Sequence, residues 1–260
     1  MKKNLQLLSI LLLTVFGLST SFAQSVDELL KQGDQFVEEF QNQKALDTYL
    51  KADKLSPNNW EVLWRISRAH VDLGEKMPEK TDEQKTEQEK VYQKAFEFAD
   101  KSVKNGSSQS ITYVRRAIAN GRIALFQGVF SAPGTVNDVK EDCEKAIQLG
   151  NGGNYVQALA HYVLGRTHAK ICENSYLVRL PLGLGWGDTE EAIRLLEIAN
   201  KLKPNFRMFM FELAKAYVEE DEYDKAKELL KKIEKAPKVD EDDDRVLAEA
   251  KKLYEEIKNE

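Results

Sequence analysis

Two sets of residues in this chain have types and spacings that could do chemistry. The first is a possible metal set: His161 and His168 lie seven apart, and Cys172 follows four later. That spacing puts all three on one stripe of a helix, and imidazole and thiolate are side chains that zinc takes as ligands. The second set could hold an anion. A basic residue follows an aromatic by four positions three times, at Trp64 and Arg68, Tyr162 and Arg166, and Phe211 and Lys215. Residues four apart meet on a helix surface, so each pair presents a cation beside a ring. Arg115 and Arg122 add two guanidinium groups nearby in the pattern. Such a row suits cation–π and charge-assisted contacts with an extended peptide or an anionic group.

The elements that must position these residues follow from a repeat. Ala45, Tyr49, Ala52 and Pro57 recur with the same gaps as Ala192, Leu196, Ala199 and Pro204, and a third copy, Ala226, Leu230 and Ile233, begins 34 residues after Ala192. A period of that size on helical sequence marks stacked helical hairpins. Abundant Ala, Leu, Glu and Lys with only six prolines favour helix throughout. The expected fold is all-α: a tetratricopeptide-like α-solenoid of about five helical hairpins plus a C-terminal capping helix. Residues 24–236 form the repeat domain and 237–260 the cap. The acidic run Asp240–Asp244 starts the last helix, where it suits the positive end of the dipole.

The repeat register reassigns the metal set. His70 and His168 fall in the slot that Phe36 and Tyr217 fill elsewhere, and His161 falls in the slot of Leu63 and Met210. Cys143 takes the position of Tyr49 and Leu196. Packing explains these positions, and no HExxH or paired CxxC accompanies them, so no metal is expected. In an antiparallel hairpin turning near Gly152, Cys143 and Cys172 are offset along the axis by roughly 15 Å. A disulfide needs Cα atoms within about 7 Å, so both read as buried thiols. The aromatic and basic pairs fall outside the packing slots, on the face that is concave in such arrays. They form either a groove for a partner or local packing.

Two stretches break the repeat. Glu75–Lys90 is nearly all charged or polar and reads as a solvated loop or helix extension. Cys172–Trp186 carries Tyr176, Leu177, Val178, Leu180, Leu182, Leu184 and Trp186. It is either a plug folded over the stack or an interface. Catalytic signatures are missing: there is no GxSxG and no P-loop, and the glycines at 183, 185 and 187 have the wrong spacing for a dinucleotide loop. No enzyme and no cofactor are expected.

At the start, Lys2 and Lys3 precede a mostly apolar run from Leu5 to Leu18 and the small-x-small site Ser21-Phe22-Ala23. Residues 1–23 therefore read as a signal peptide cleaved near Ala23-Gln24. The run is shorter than the roughly 20 residues of a membrane span, and no later stretch is long and apolar enough, so the mature chain is expected to have no span. An exported chain, periplasmic or secreted, is expected. Loss of Lys2 and Lys3 takes the net charge from −5 to −7. That balance argues against a nucleic-acid partner.

The repeats resemble tetratricopeptide repeats over Ser25 to Ala236. More specifically, Trp60 to Lys232 is similar to the regulator of microtubule dynamics family. The likeness rests on Leu63-Trp64-Arg65, Ala95-Phe96-Glu97-Phe98-Ala99, Tyr113-Val114-Arg115-Arg116-Ala117, Leu164-Gly165-Arg166, Thr189-Glu190-Glu191-Ala192, Ala199 and Pro204-Asn205-Phe206. The resemblance implies an all-helical interaction module without catalysis. The family name comes from eukaryotic members that affect microtubules, a role that an exported chain does not fit, so no binding residue is carried over. The expected function is a non-catalytic exported scaffold that binds a protein or peptide in its concave groove. The alternative is small-ligand capture as an accessory of an envelope uptake system.

Overall fold

The computed structural model describes residues 25–260, so the expected signal peptide lies outside the described residues. Among the described residues, twelve α-helices follow one another: α1 Val26–Glu38, α2 Asn42–Leu55, α3 Trp60–Glu75, α4 Asp82–Asn105, α5 Ser110–Gln127, α6 Pro133–Leu149, α7 Gly153–Cys172, α8 Tyr176–Arg179, α9 Thr189–Leu202, α10 Arg207–Glu219, α11 Tyr223–Lys235 and α12 Asp243–Ile257. A 3₁₀ turn, Leu180–Leu182, follows α8, and the described residues include no strand. Five hairpins (α1–α2, α3–α4, α5–α6, α7–α9 and α10–α11) stack in sequence, and α12 covers the last. The chain is a tetratricopeptide-like α-solenoid.

Local signals set the helix ends. Ser25 and Glu28 close a capping box on α1, and Thr81 and Gln84 close one on α4, satisfying backbone donors that a helix start leaves unpaired. Pro57-Asn58 and Pro204-Asn205 form the same turn in two repeats, with the asparagines at φ 65° and 62°. Asparagine tolerates that left-handed region better than most residues. The repeat slots are the core: Ala45, Ala52, Ala192, Leu196, Ala199, Ala226 and Ile233 have no exposed surface. Inside the first hairpin a Cβ on Gly33 would lie 2.2 Å from the Tyr49 ring. Only glycine there lets α1 sit against that ring.

Both readings of the polar stretch hold, each for part of it. The polar stretch after Glu75 is a loop only to Thr81; from Asp82 it extends α4, and Gln88 is buried with its amide donating to the Gly74 carbonyl at 2.9 Å. The apolar stretch divides in two. Leu184 is fully buried beside Val129, Val136 and Ile171, and the Trp186 indole donates to Asn137 at 2.8 Å. Tyr176, Leu177, Val178 and Leu180 stay exposed. The second half seals the α5–α6–α7 edge and the first half faces solvent.

Where α4, α5 and α6 meet, Arg116 donates to both oxygens of Asp142 at 2.8 and 2.9 Å and to Asp100 at 2.8 Å. Two carboxylates hold its guanidinium charge firmly in place. This is a structural clamp across three helices.

The link from α11 to α12 is a shaped turn. Buried Arg207, at the start of α10, donates to the carbonyls of Ala236 and Asp243. The Asp243 carboxylate accepts from the backbone N–H groups of Val239 and Asp240 at 2.7 and 2.9 Å. The expected helix start at Asp240 is therefore displaced. Asp240–Asp242 belongs to the turn, because Asp243 caps the turn and not the helix.

Candidate functional site

The first helices of successive hairpins, α3, α5, α7 and α10, pack on one another and form the inner wall of the stack. Consecutive helical residues point about 100° apart, so Arg116 faces the α4–α6 seam while Arg115 faces inward. Two compartments open along this wall. The inner one, about 190 Å³, runs between α3, α5 and α7 with Ile118, Val163 and Phe209 on its sides. The outer one, about 550 Å³, lies between Trp60, Trp64 and Tyr155. They meet at Arg68, Arg115 and Tyr155, under Asp240 and Asp242 of the α11–α12 turn.

Of the eight residues singled out in the sequence, six reach this site. Arg68 and Arg115 line both compartments, Arg122, Tyr162 and Arg166 the inner one, and Trp64 the outer. Phe211 and Lys215 do not. Phe211 is a buried member of the main core, and Lys215 pairs with Glu212 at 3.0 Å, although its ammonium does lie 5.7 Å from the Phe211 ring. Tyr162 is also a packing residue, stacked on Phe209 with ring centroids 4.6 Å apart. For both aromatics the local-packing alternative describes what the structure shows. Trp64 is paired differently as well. Its ring carries Arg65 at 4.3 Å and Arg115 at 5.4 Å, whereas Arg68 turns to Asp72 at 3.4 Å.

Most of the site's cations have carboxylate partners. Arg122 pairs with Glu75, and Arg166 with Glu212 at 3.5 Å. Burial works against the Arg68 charge, but Asp72, with smaller contributions from Tyr155, Tyr49 and Asp34, outweighs burial and raises its pKa. Arg115 is the exception. It is only 7% exposed, its Nε is buried without a hydrogen-bond partner, and among the described residues no carboxylate pairs with it. Burial, with Arg68 beside it, pulls its guanidinium down to about 10. The acids respond in the opposite sense. Burial raises the Asp72 and Asp240 carboxyls above their usual range and takes Glu75 to about 7 against the pull of Arg122.

Sequence reasoning missed Asp72, Glu75, Tyr155 and the turn acids. Asp72 and Glu75 stand four and seven after Arg68, a spacing that puts them on its face. The acidic run between Asp240 and Asp244 exceeds what one helix start can use.

The histidines take structural places. His168 is buried edge-on to Trp186 and its Nδ1 accepts from the Asp188 N–H at 3.2 Å; His70 stacks on Phe98, and burial takes it down to about 4. His161 Nδ1 meets the Gln157 carbonyl at 2.8 Å. Among the described residues no group of metal-ligating side chains converges. Cys143 and Cys172 are both free thiols. Cys143 is fully buried, but Cys172 is half-buried and accepts from Arg179 at 2.9 Å. Its expected burial is corrected, because α7 ends there.

Fold and site together define a helical-repeat protein with a partly enclosed, arginine-lined groove. Solved structures of similar architecture include a thermophilic tetratricopeptide protein of Thermus thermophilus, with a TM-score of 0.60 at 21% identity over 87% of this chain and 98% of that one. Pseudomonas aeruginosa pilF matches with a TM-score of 0.52 at 14% identity, over 88% and 84%. The model of the family "Regulator of microtubule dynamics protein 1-3" matches residues 29–258, and the chain belongs to that family. Regulator of microtubule dynamics protein 1 of Bos taurus is 25% identical over 88% of this chain and 71% of its own length. The Mus musculus counterpart is 24% identical over 88% and 73%. The chain spans 47% of regulator of microtubule dynamics protein 3 of Rattus norvegicus, at 22% identity.

Proposed function

We propose that this chain is a non-catalytic exported scaffold whose concave groove holds an extended segment of a protein partner. The observation that carries this is Arg115. A buried guanidinium without a carboxylate is costly to fold around, and here it lines both compartments of the groove. A partner's carboxylate or backbone carbonyls would supply what it lacks. Solenoids use such inner surfaces for binding.

Export is supported by Lys2, Lys3, the apolar run and Ser21-Phe22-Ala23. Residues 24–236 then form the repeat body of the mature chain and 237–260 its cap. A net acidic chain disfavours a nucleic-acid partner. The alternative is capture of a small ligand for an envelope uptake system. The apolar side of the inner compartment, with Ile118, Val163 and Phe209, favours it.

The test is affinity capture from the native envelope fraction, identified by mass spectrometry. Reversing the charge at Arg68 and Arg166 should abolish recovery of the protein partner. Unchanged recovery would end the groove reading, and recovery of a small metabolite alone would replace the scaffold with the alternative.

A further inference from the structure

The groove is already spanned by part of this chain. Asp240, Glu241 and Asp242 sit at the tip of the α11–α12 turn, which in chain order lies far from the first hairpins. They nevertheless reach them. The Asn42 amide donates to Glu241 at 2.8 Å, and the Lys76 ammonium donates to Asp242 at 2.8 Å. Asp240 and Asp242 line both compartments, along with Arg68 and Arg115. Yet neither closes an ion pair with Arg115, which keeps its buried and partnerless Nε. An acidic segment therefore lies over Arg115 without pairing with it.

On the reading that the groove holds a partner, we propose that its ligand is an extended acidic peptide segment that meets Arg115 and Arg68 and displaces the chain's own Asp240–Asp242 turn from α2 and α3.

The turn is built to move as a unit. Arg207 and Asp243 fix its shape from within the last repeat and cap. Toward α2 and α3 it is held by the contacts of Asn42 and Lys76; the Lys76 side chain is 39% exposed, and its ammonium also lies 3.8 Å from Glu241. Its partner Asp242 is 19% exposed and Asn42 is buried, and a surface ion pair shifts an equilibrium by about fivefold at most. A competing segment gains the charge-assisted contact to Arg115 that the turn fails to make.

Fluorescence anisotropy on the full mature chain tests this. The probe is a labelled peptide that copies residues 236–244, beside a copy with Asn or Gln at every acidic position. Glu241→Ala with Asp242→Ala, which removes the acceptors of Asn42 and Lys76 and frees the turn, should bind the acidic copy about tenfold more tightly than the unmodified chain. The amide copy should bind neither. Arg115→Gln in the freed background should lower acidic binding about tenfold. Arg68→Gln, on a partly exposed side chain, keeps the test decisive if Arg115→Gln does not fold.

Equal binding of the two copies would overturn the acidic ligand and leave the groove reading intact. Absence of acidic binding to the freed variant, with its helical circular dichroism unchanged, would also overturn it. Binding that is indifferent to both arginine substitutions would do the same. The groove reading itself fails separately, by unchanged capture after charge reversal.

Discussion

Arg115 and Arg116 are neighbours in sequence, and the regions they enter are opposites. In the α4–α5–α6 seam, Arg116 is held by Asp100 and Asp142, with its fork matched to the carboxylate geometry. In the groove, Arg115 is more deeply buried and lacks any such partner. The seam uses its charges to hold helices together. Among the described residues the groove leaves Arg115 without a carboxylate, while burial pushes Asp72, Glu75 and Asp240 toward protonation. Of the two neighbours, only Arg116 is matched by carboxylates.

The largest effect should come from the seam. Arg116→Ala strands Asp142, whose side chain is 6% exposed, and should cost about 3–5 kcal/mol in denaturant unfolding. Gly33→Ala should come next, because the new Cβ collides with the Tyr49 ring; a loss of about 1–3 kcal/mol is expected from thermal melts. Arg115→Met removes an unmatched charge from the groove, so stability should hold or rise by about 1 kcal/mol while partner capture is lost. A large destabilisation there would erase the contrast between the two arginines.

Glu75 sharpens it by pH. Its folded pKa of about 7 lies above its ordinary 4.5, so the folded chain binds the extra proton between those values. Stability from this group is therefore full below about pH 4.5 and is lost as pH rises through 7. The slope is at most about 1.4 kcal/mol per unit, and Glu75→Gln should flatten it in melts taken from pH 5 to 8. Smallest of all, Asp242→Asn alone should change stability by less than about 1 kcal/mol. A larger loss would show that the turn is a structural strut and not a movable occupant.

Much of this was legible in the sequence, for a physical reason. The slots Ala45–Tyr49–Ala52 and Ala192–Leu196–Ala199 are read by helical period, and each repeat buries them against its neighbour. Arg68, Arg115, Arg122 and Arg166 line the compartments because α3, α5 and α7 turn those positions inward. Phe211 and Lys215 were misplaced because the cavities lie between α3, α5 and α7, and at α10 this face is closed by packing. Asp240–Asp242 were assigned to a helix start because local rules see only local uses for acids. Their partners, Asn42 and Lys76, lie 199 and 166 residues away, and periodicity carries no signal over such distances.

A solenoid ordinarily behaves as a one-dimensional array in which each repeat feels only its neighbours. The contact between Asn42 and Glu241, 199 residues apart, adds a link outside that pattern. Closing a loop that long has an entropic cost that the last step of folding must meet, so the two ends should dock after the hairpins between them have formed. Once docked they share a fate. Fraying of α12 becomes an event at the mouth of the first hairpin, and whatever settles between them is sensed at both ends of the chain at once.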